Sequence, residues 1–259
     1  MKILVTGAAG RVGTQVCCAL AAEHELRLLD VVPIESPPGE AVRGSVADWG
    51  TVQRAVAGVD AVAHLAIHSP ARTGEQSYEQ YIQDDVNVGV KGTDMLLHAS
   101  TEAGCRRFVY TSSMNVYSAR YPQAGEFLRD SDETLSREHY GTIKWLAEEL
   151  CRHYALSHRL STIVLRFNSV TFPDHWEQNG GDKEHPEHAC TRVHIDDVAR
   201  AVRLALEMEG VPWGRCLISG SNPEERLDTH TAEKLIGFRA RYGFEADTMY
   251  KDGQVEVKI

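Results

Sequence analysis

No apolar run in the 259-residue sequence approaches the length that spans a bilayer, and the short apolar start, which glycine interrupts, is too brief for a secretion signal. No Lys/Arg cluster is present: 27 basic residues face 37 acidic ones, which disfavours nucleic acid and anionic membranes as partners. No CxxC pair occurs among the six cysteines, so we expect unpaired thiols and a cytoplasmic protein. The 42% hydrophobic content suffices for one large α/β domain with a small appendage.

What the chain does have is an apolar segment, residues 2–6, that runs into three spaced glycines, Gly7, Gly10 and Gly13, and then into an amphipathic stretch. In such a pattern the first glycine permits a tight turn, the second lets backbone N–H groups approach a pyrophosphate, and the third lets helix and strand pack closely. The helix N-terminus then faces the phosphates. The pattern predicts a dinucleotide site; the alternative is a glycine-rich turn without a ligand.

An acidic residue follows at the distance that a dinucleotide site requires. Asp30 comes directly after the apolar segment 26–29, about twenty positions beyond the glycines. A carboxylate there can bind both hydroxyls of the adenosine ribose and repels a 2′-phosphate. The chain is therefore predicted to bind NAD rather than NADP.

Apolar strands alternate with helical segments, which indicates an α/β protein with a doubly wound parallel sheet of the Rossmann type. We expect a single unit in which residues 1–167 mainly form the nucleotide-binding core, while residues 168–192 and 211–259 mainly form a small, reduced C-terminal substrate lobe. The predicted strands are 3–6, 26–30, 41–43, 61–66, 107–113, 161–167 and 215–219. Helices are predicted from residue 10, after residue 48, over 78–103 and 140–157, from residue 196, and over 231–236, with loops at 117–135 and 173–189.

A tyrosine and a lysine, Tyr140 and Lys144, lie four positions apart and hence on one face of a predicted helix. A free phenol has a pKa near 10, so a nearby cation is needed to make it a base; we expect Lys144 to supply that charge and to bind the nicotinamide ribose. Ser113 ends a strand where open α/β sheets bind ligands, and it is expected to hold a substrate oxygen. A YxxxK pair taken on its own has an alternative interpretation, in which the tyrosine lies on the surface beside a lysine and has no catalytic role.

With these motifs in this order, the chain resembles the extended short-chain dehydrogenases/reductases, the NAD-dependent epimerase/dehydratase family, over nearly its whole length. Further matching segments are His64-Leu65-Ala66, Asn87-Val88 with Gly92-Thr93, Thr111 to Tyr117, Glu148, Leu165-Arg166 and Arg192 to Ala199. The resemblance implies a homodimer through the 78–103 and 140–157 helices, and it places Asp48 on the adenine side. The cofactor contacts expected are Gly7, Gly10, Arg11, Val12, Gly13, Asp30, Asp48, Leu65, Ala66, Asn87, Thr111, Tyr140 and Lys144.

Departures from the family pattern bear on the reaction and the substrate. Family dehydratases carry an Asp-Glu pair after the catalytic hydroxyl, where this chain has Met114 and Asn115, so dehydration is disfavoured. The segments that follow Arg166 and Ala199 are shorter than in nucleotide-sugar members, which implies a small substrate and a size similar to that of the hexuronate dehydrogenases. The substrate contacts expected are Ser113, His68, Asn115, Arg166 and Ser169.

Several polar residues allow two interpretations. Arg166 can pair with a substrate carboxylate or, equally, make a structural pairing with a core acid or a carbonyl. His64 is expected to satisfy a polar contact at a strand end rather than line the pocket. In the polar loop 174–190, His185, His188 and Cys190 offer metal ligands without regular spacing, so no metal is predicted.

Three functions follow from these patterns. The preferred one is an NAD-dependent oxidoreductase that acts on a secondary carbinol or ketone of a small sugar, sugar acid or similar polar substrate. The second is a sugar epimerase in which NAD stays bound between the two hydride transfers. The third, a non-catalytic NAD-binding sensor, is disfavoured because Tyr140 and Lys144 are both present.

Overall fold

The computed structural model describes residues 1–68, 76–119, 126–178, 191–221, 226–245 and 248–258. Its strands are β1 (Lys2–Thr6), β2 (Glu25–Asp30), β3 (Glu40–Arg43), β4 (Ala61–His64), β5 (Arg107–Ser113), β6 (Ser161–Phe167), β7 (Ser169–Thr171), β8 (Arg192–His194), β9 (Trp213–Ile218), β10 (Tyr242–Glu245), β11 (Thr248–Lys251) and β12 (Gln254–Lys258). Its α-helices are α1 (Arg11–Leu20), α2 (Trp49–Val56), α3 (Tyr78–Val86), α4 (Gly92–Glu102), α5 (His139–Ser157), α6 (Pro173–Gln178), α7 (Ile195–Glu207) and α8 (His230–Ile236).

Seven strands form one sheet in the order β3-β2-β1-β4-β5-β6-β9, and every neighbouring pair is parallel. The chain winds outward from β1 to β3, returns, and continues on the other side of β1 from β4 onward. This reversal opens a crevice at the carboxyl ends of β1 and β4, where sheets of this kind bind ligands. The predicted doubly wound α/β fold is confirmed.

The sheet is covered on both faces by apolar side chains that alternate along each strand. In β1, Ile3 and Val5 pack on the side of α1 and α7, whereas Leu4 packs on the side of α2, α4 and α5. Helix α1 contributes the apolar stripe that its sequence predicts, which includes Val16 and Leu20. Two buried layers therefore hold the sheet rigidly enough to position the residues at its carboxyl edge.

The helical stretch predicted over residues 78–103 is interrupted. Between α3 and α4 the chain makes a π-helix, Asn87–Lys91, that lies against α5. A Cβ added to Gly89 in this turn would lie 2.4 Å from Cγ2 of Ile143, so the backbone approaches the helix of Tyr140 and Lys144 very closely. Wide turns of this type occur often at functional sites.

The C-terminal part contains elements that the sequence patterns did not predict. Strands β10, β11 and β12 form an antiparallel sheet, and α6 occupies the start of a segment that we expected to be a loop. A small separate core explains both, because Trp176 of α6 is buried and its ring lies 5.2 Å from that of Phe244. Strand β9, within the 211–259 segment expected to lie mainly in the substrate lobe, is instead an edge strand of the main sheet.

Among the residues described, no helix combines the length and apolar character needed to cross a bilayer. The five cysteines in this part of the chain, Cys17, Cys18, Cys105, Cys151 and Cys216, carry free thiols, and all but Cys18 are buried.

Candidate active site

The glycine-rich turn lies where β1 meets the crevice. Gly7 has a φ of +70°, and a Cβ there would lie 2.8 Å from the backbone nitrogen of Ala66. A Cβ on Gly13 would lie 2.1 Å from the carbonyl oxygen of Gly7. Helix α1 begins after Gly10, and no side chain caps its first N–H groups. These groups are therefore available to an anion in the crevice.

Two acids predicted to contact the cofactor each accept a hydrogen bond from a backbone amide in the structure. Asp30 is buried, and its Oδ2 accepts a hydrogen bond of 2.9 Å from the amide N–H of Ala9 in the glycine-rich turn. Asp48 accepts a hydrogen bond of 2.8 Å from the amide of Thr51 and so caps α2. Hydrogen bonds from Thr51 hold the pKa of Asp48 below its ordinary value. The contacts of both acids with an adenosine ribose or adenine stay predictions.

A buried hydrogen-bond chain joins the crevice to the π-helix. Thr93 Oγ1 donates to the carbonyl oxygen of Gly89 at 2.6 Å, so it accepts from His64 Nε2, 3.0 Å away. His64 Nδ1 therefore accepts from Thr6 Oγ1 at 2.7 Å, and Thr6 Oγ1 accepts from the amide of Ala66 at 3.2 Å. Burial lowers the pKa of His64 to about 3, which keeps the ring neutral. The chain fixes the strand end beside Leu65 and Ala66, as expected of a structural rather than a pocket histidine.

Helix α5 and strand β5 bring the three predicted catalytic residues together. Ser113 ends β5 beside Tyr140, and its hydroxyl opposes part of the rise in the pKa of Tyr140 that burial causes. Lys144 Nζ lies 5.7 Å from the centre of the Tyr140 ring and donates a hydrogen bond of 2.7 Å to the carbonyl oxygen of Thr111. A phenol, a hydroxyl and an amine are thus held on two elements at the carboxyl edge of the sheet.

The ionisation of Tyr140 and Lys144 differs from our expectation. We expected Lys144 to lower the pKa of Tyr140, but burial raises that pKa to about 12, and the groups that shift it further are Ser113, Asp85 and Tyr81. Burial also lowers the pKa of Lys144 to about 8. Both charged forms are disfavoured for the same reason, since burial removes part or all of the water that would stabilise the charge.

The structure supports the structural alternative for Arg166. Its guanidinium is fully buried, donates to both carboxylate oxygens of Glu148 at 2.9 and 2.6 Å, and lies 4.7 Å from the centre of the Tyr117 ring. Glu148 follows Lys144 by one helical turn, so the pair fastens α5 to β6. Arg166 lies too deep in the protein to contact a substrate.

A cleft of about 380 Å³ opens beside Ser113. Three predicted substrate residues line it, namely Ser113, Asn115 and Ser169, whereas His68 and Arg166 do not. The other lining residues are Met114, Phe167, Asn168, Thr191 and Arg192, which sequence reasoning did not assign to a substrate site. The available signal was that Met114 and Asn168 lie directly beside Ser113 and Ser169 in the sequence; Arg192 lay within a matching family segment.

Two further features were missed. Asp85, buried on α3, lies 3.3 Å from Nε2 of His139, the residue directly before Tyr140. Arg11, predicted to contact the cofactor, has its guanidinium 3.8 Å above the Phe172 ring and 3.4 Å from Asp174. The candidate metal ligands His185, His188 and Cys190 lie outside the described residues.

The model of the NAD dependent epimerase/dehydratase family matches residues 3–186. Among curated proteins, the 3-beta-hydroxysteroid dehydrogenase of Mycolicibacterium neoaurum is 36% identical over 138 residues, which are 52% of this chain and 36% of that protein. The present chain thus spans little more than a third of that relative. The L-arabinose 1-dehydrogenase (NAD(P)(+)) of Haloferax volcanii is 28% identical over 258 residues, 93% of this chain and 96% of that protein.

Solved structures resemble the fold over most of its length. The uronate dehydrogenase of Agrobacterium tumefaciens superimposes with a TM-score of 0.77 at 25% identity, covering 92% of this chain and 84% of that one.

Proposed function

The chain belongs to the NAD-dependent epimerase/dehydratase family, and we propose that it is an enzyme that uses NAD to oxidise a secondary carbinol, or to reduce the matching ketone, on a small polar substrate. One observation carries this proposal: Ser113, Tyr140 and Lys144 lie together beside a cleft. The glycine-rich turn and the uncapped N-terminus of α1 lie at the same edge of the sheet. A protein that only sensed NAD would have no use for this arrangement.

The residues around the crevice suit NAD. The uncapped N-terminus of α1 would hold the pyrophosphate, and the Asp30 carboxylate would bind the ribose hydroxyls and repel a 2′-phosphate. We assign Arg11, Val12, Asp48, Leu65, Ala66, Asn87 and Thr111 to the surrounding contacts. Two of the similar solved structures contain bound NAD: one is a mutant form of the uronate dehydrogenase from Agrobacterium tumefaciens, and the other is MoeE5 in complex with UDP-glucose.

The chemistry divides among three side chains. Bound NAD supplies the hydride acceptor and, in its oxidised form, a positive charge that favours a phenolate nearby. Tyr140 takes the proton of the substrate hydroxyl as hydride leaves the carbon, and Ser113 orients the same oxygen. Lys144, tethered to the Thr111 carbonyl and 5.7 Å from the centre of the Tyr140 ring, adds a second positive charge that favours the phenolate during proton transfer.

The cleft favours a small sugar or sugar acid. Hydroxyl and amide groups of Ser113, Asn115, Asn168 and Ser169 match a polyol, and Arg192 adds positive charge at its wall. The names of two relatives, an arabinose dehydrogenase and a uronate dehydrogenase, support this class. Met114 and Asn115 supply no acid for removal of a hydroxyl group, so dehydration is not proposed.

We further propose a homodimer formed by α3 and α5. These helices expose large apolar side chains, among them Tyr78, Val86, Trp145 and Leu146, to solvent. Burying such side chains against a second copy stabilises association. Sedimentation equilibrium is expected to give twice the mass of one chain, and a Trp145→Glu variant is expected to give the mass of one.

The free buried thiols Cys17, Cys105, Cys151 and Cys216 fit a reducing compartment, which supports a cytoplasmic location. Fractionation of the source cells with an antibody to the chain tests this assignment; recovery outside the cytoplasm would contradict it.

The function is tested by adding NAD and a panel of uronic acids, aldoses and hydroxy acids to the purified chain and following NADH. Net NADH from one class identifies a dehydrogenase and its substrate class. An epimerase instead interconverts sugars without net NADH. If the purified chain catalyses neither reaction with any member of the panel, the proposal is contradicted.

A further inference from the structure

Asn115, which lines the cleft close to Ser113, is held from three directions. Its backbone N–H donates a hydrogen bond of 3.1 Å to Ser113 Oγ. Its side-chain Nδ2 donates a hydrogen bond of 3.3 Å to Glu138 Oε2. Its carbonyl oxygen lies against helix α5, because a Cβ added to Gly141 would clash with it. The position of Asn115 is therefore fixed against both the end of β5 and the helix that carries Tyr140.

Glu138 occupies the N-cap position of α5, two residues before Tyr140. A polar side chain at this position commonly accepts from the first N–H groups of its helix, but the Glu138 side chain makes no such bond. Its backbone is anchored by Ser136, whose Oγ accepts from the Glu138 amide at 3.1 Å and donates to the Glu138 carbonyl oxygen at 2.9 Å. The carboxylate is instead used to hold Asn115.

The contact with Glu138 decides which way round the Asn115 amide lies. A carboxylate can only accept hydrogen bonds, so the amide nitrogen faces Glu138 and the amide oxygen faces away from it. Asn115 is among the described residues that line the cleft, and Glu138 is not. The atom that Asn115 offers to a ligand in the cleft is accordingly Oδ1, a hydrogen-bond acceptor.

Ser113 offers the complementary group. Its Oγ accepts from the backbone N–H of Asn115, so its own proton is left to be donated to a ligand. The two residues thus place a donor and an acceptor side by side at one wall of the cleft. Such a pair matches two neighbouring hydroxyl groups, of which one oxygen accepts from Ser113 and the other hydroxyl donates to Asn115.

We propose that Asn115 is a specificity-determining residue that accepts a hydrogen bond from the hydroxyl next to the reacting carbinol, and that Glu138 is the positioning residue that orients its amide. The substrate class is thereby narrowed to compounds with hydroxyl groups on adjacent carbons. For an aldose oxidised at C1, the second hydroxyl is the one at C2. The inference rests on the proposed function in one respect, that the carbinol oxygen held by Ser113 is the one that reacts.

The test compares D-glucose, D-galactose and D-ribose with their 2-deoxy counterparts, which lack only the C2 hydroxyl. Calorimetric titration of the full-length chain, loaded with NADH, measures each affinity without turnover. The wild type is expected to bind an aldose about tenfold more tightly than its 2-deoxy counterpart, the value of one hydrogen bond. Asn115→Ala is expected to remove this preference by weakening the binding of the aldose alone.

The role of Glu138 is tested by exchanging the two side chains. Glu138→Gln lets the Asn115 amide face either way and is expected to reduce the preference to about threefold. Asn115→Asp places two carboxylates together and is expected to abolish it. In Asn115→Asp/Glu138→Gln the introduced amide can donate to the introduced carboxylate, whose second oxygen then faces the cleft, so the preference is expected to return. A pair that only supported the fold would affect both sugars equally.

Glu149→Gln is the matched control, because it makes the same change at an exposed acid of α5 that pairs with Arg152. It is expected to keep the preference of the wild type. Equal affinity of the wild type for both members of every pair, including no measurable binding of either, overturns the proposal. A double variant with no more preference than Asn115→Asp overturns the role of Glu138.

The inference and the proposed function fail separately. If the preference and its return in the double variant are observed but no sugar yields NADH or an epimer, the proposed function is contradicted and the roles of Asn115 and Glu138 stand. If the wild type oxidises an aldose and its 2-deoxy counterpart with equal kcat/KM, those roles are contradicted and the proposed function stands.

Discussion

Asp30 Oδ2 accepts a hydrogen bond of 2.9 Å from the amide N–H of Ala9, so the acid that ends β2 also holds the glycine-rich turn of β1. The carboxylate proposed to bind the ribose of NAD thereby also fixes the turn proposed to hold the pyrophosphate. Choice of cofactor and geometry of the turn are linked through this residue.

Replacing Asp30 by Asn is expected to weaken NAD binding by about 10- to 100-fold, the value of a hydrogen bond to a charged group. Binding of NADP is expected to change little or to improve, because the repulsion of the 2′-phosphate is lost. Calorimetric titration with both nucleotides measures the two affinities. Asp60→Asn, at the opposite end of the sheet, is the control. If Asp30→Asn lost affinity for NAD and NADP equally, the selective role of Asp30 would be contradicted.

Removing the Tyr140 hydroxyl tests the proton acceptor. Tyr140→Phe is expected to reduce kcat by about a thousandfold, since general-base catalysis is lost, while NAD affinity stays nearly constant. Tyr154→Phe removes a hydroxyl from the far end of the same helix, where it bonds Asp94, and is expected to keep its activity. Substantial turnover by Tyr140→Phe would contradict the assignment of Tyr140 as the proton acceptor.

Two adjacent glutamates on α5 are predicted to differ greatly in their effect on stability. Glu148→Gln leaves the guanidinium of Arg166 buried without its counter-charge, which is expected to lower the free energy of unfolding by about 3–5 kcal/mol. Glu149 forms an exposed pair with Arg152, so Glu149→Gln is expected to cost less than about 0.5 kcal/mol. Urea denaturation compares them, and similar losses would be inconsistent with a buried pair.

His64 and Asp130 are predicted to give opposite dependences of stability on pH. In the folded chain burial lowers the pKa of His64 to about 3, whereas in the unfolded chain its pKa is near 6.5. The unfolded chain therefore binds the proton first, and His64 makes the free energy of unfolding fall as the pH falls below 6.5. Burial raises the pKa of Asp130 to about 7, so the fold binds the extra proton there, and this group makes stability fall as the pH rises from 3.8 to 7.

The two contributions offset each other between about pH 4 and 6.5 in the wild type. Over that interval His64→Gln is expected to lose stability with rising pH relative to wild type, and Asp130→Asn to gain it. Denaturation midpoints at several pH values measure both slopes. Slopes of the same sign in the two variants would show that one of the groups does not titrate as described.

The features predicted from sequence are those set by local spacing. Gly7 and Gly13 are recognisable because each role depends on neighbours a few positions away, and the turn between Tyr140 and Lys144 is a property of one helix. The doubly wound parallel sheet also followed from alternation along the chain. Residues whose partners are distant in sequence were harder: Arg166 stayed ambiguous until Glu148 was found against it.

Other features have no local signature. Asp85 and His139 meet only because α3 packs on α5, and strands β10 to β12 have only four or five residues each, which is too short for a clear pattern. The pKa of Tyr140 was misjudged for a related reason, since the burial that raises it comes from surrounding elements and not from its own helix.

The most direct test of the proposed activity is the stoichiometry of NADH formation by the wild type and by Tyr140→Phe, with NAD and each sugar acid of the panel. The predicted result is one NADH for each sugar acid consumed by the wild type, and almost none with the variant. Interconversion of sugars without net NADH, or equal NADH from both proteins, would contradict hydride transfer to free NAD with Tyr140 as the base.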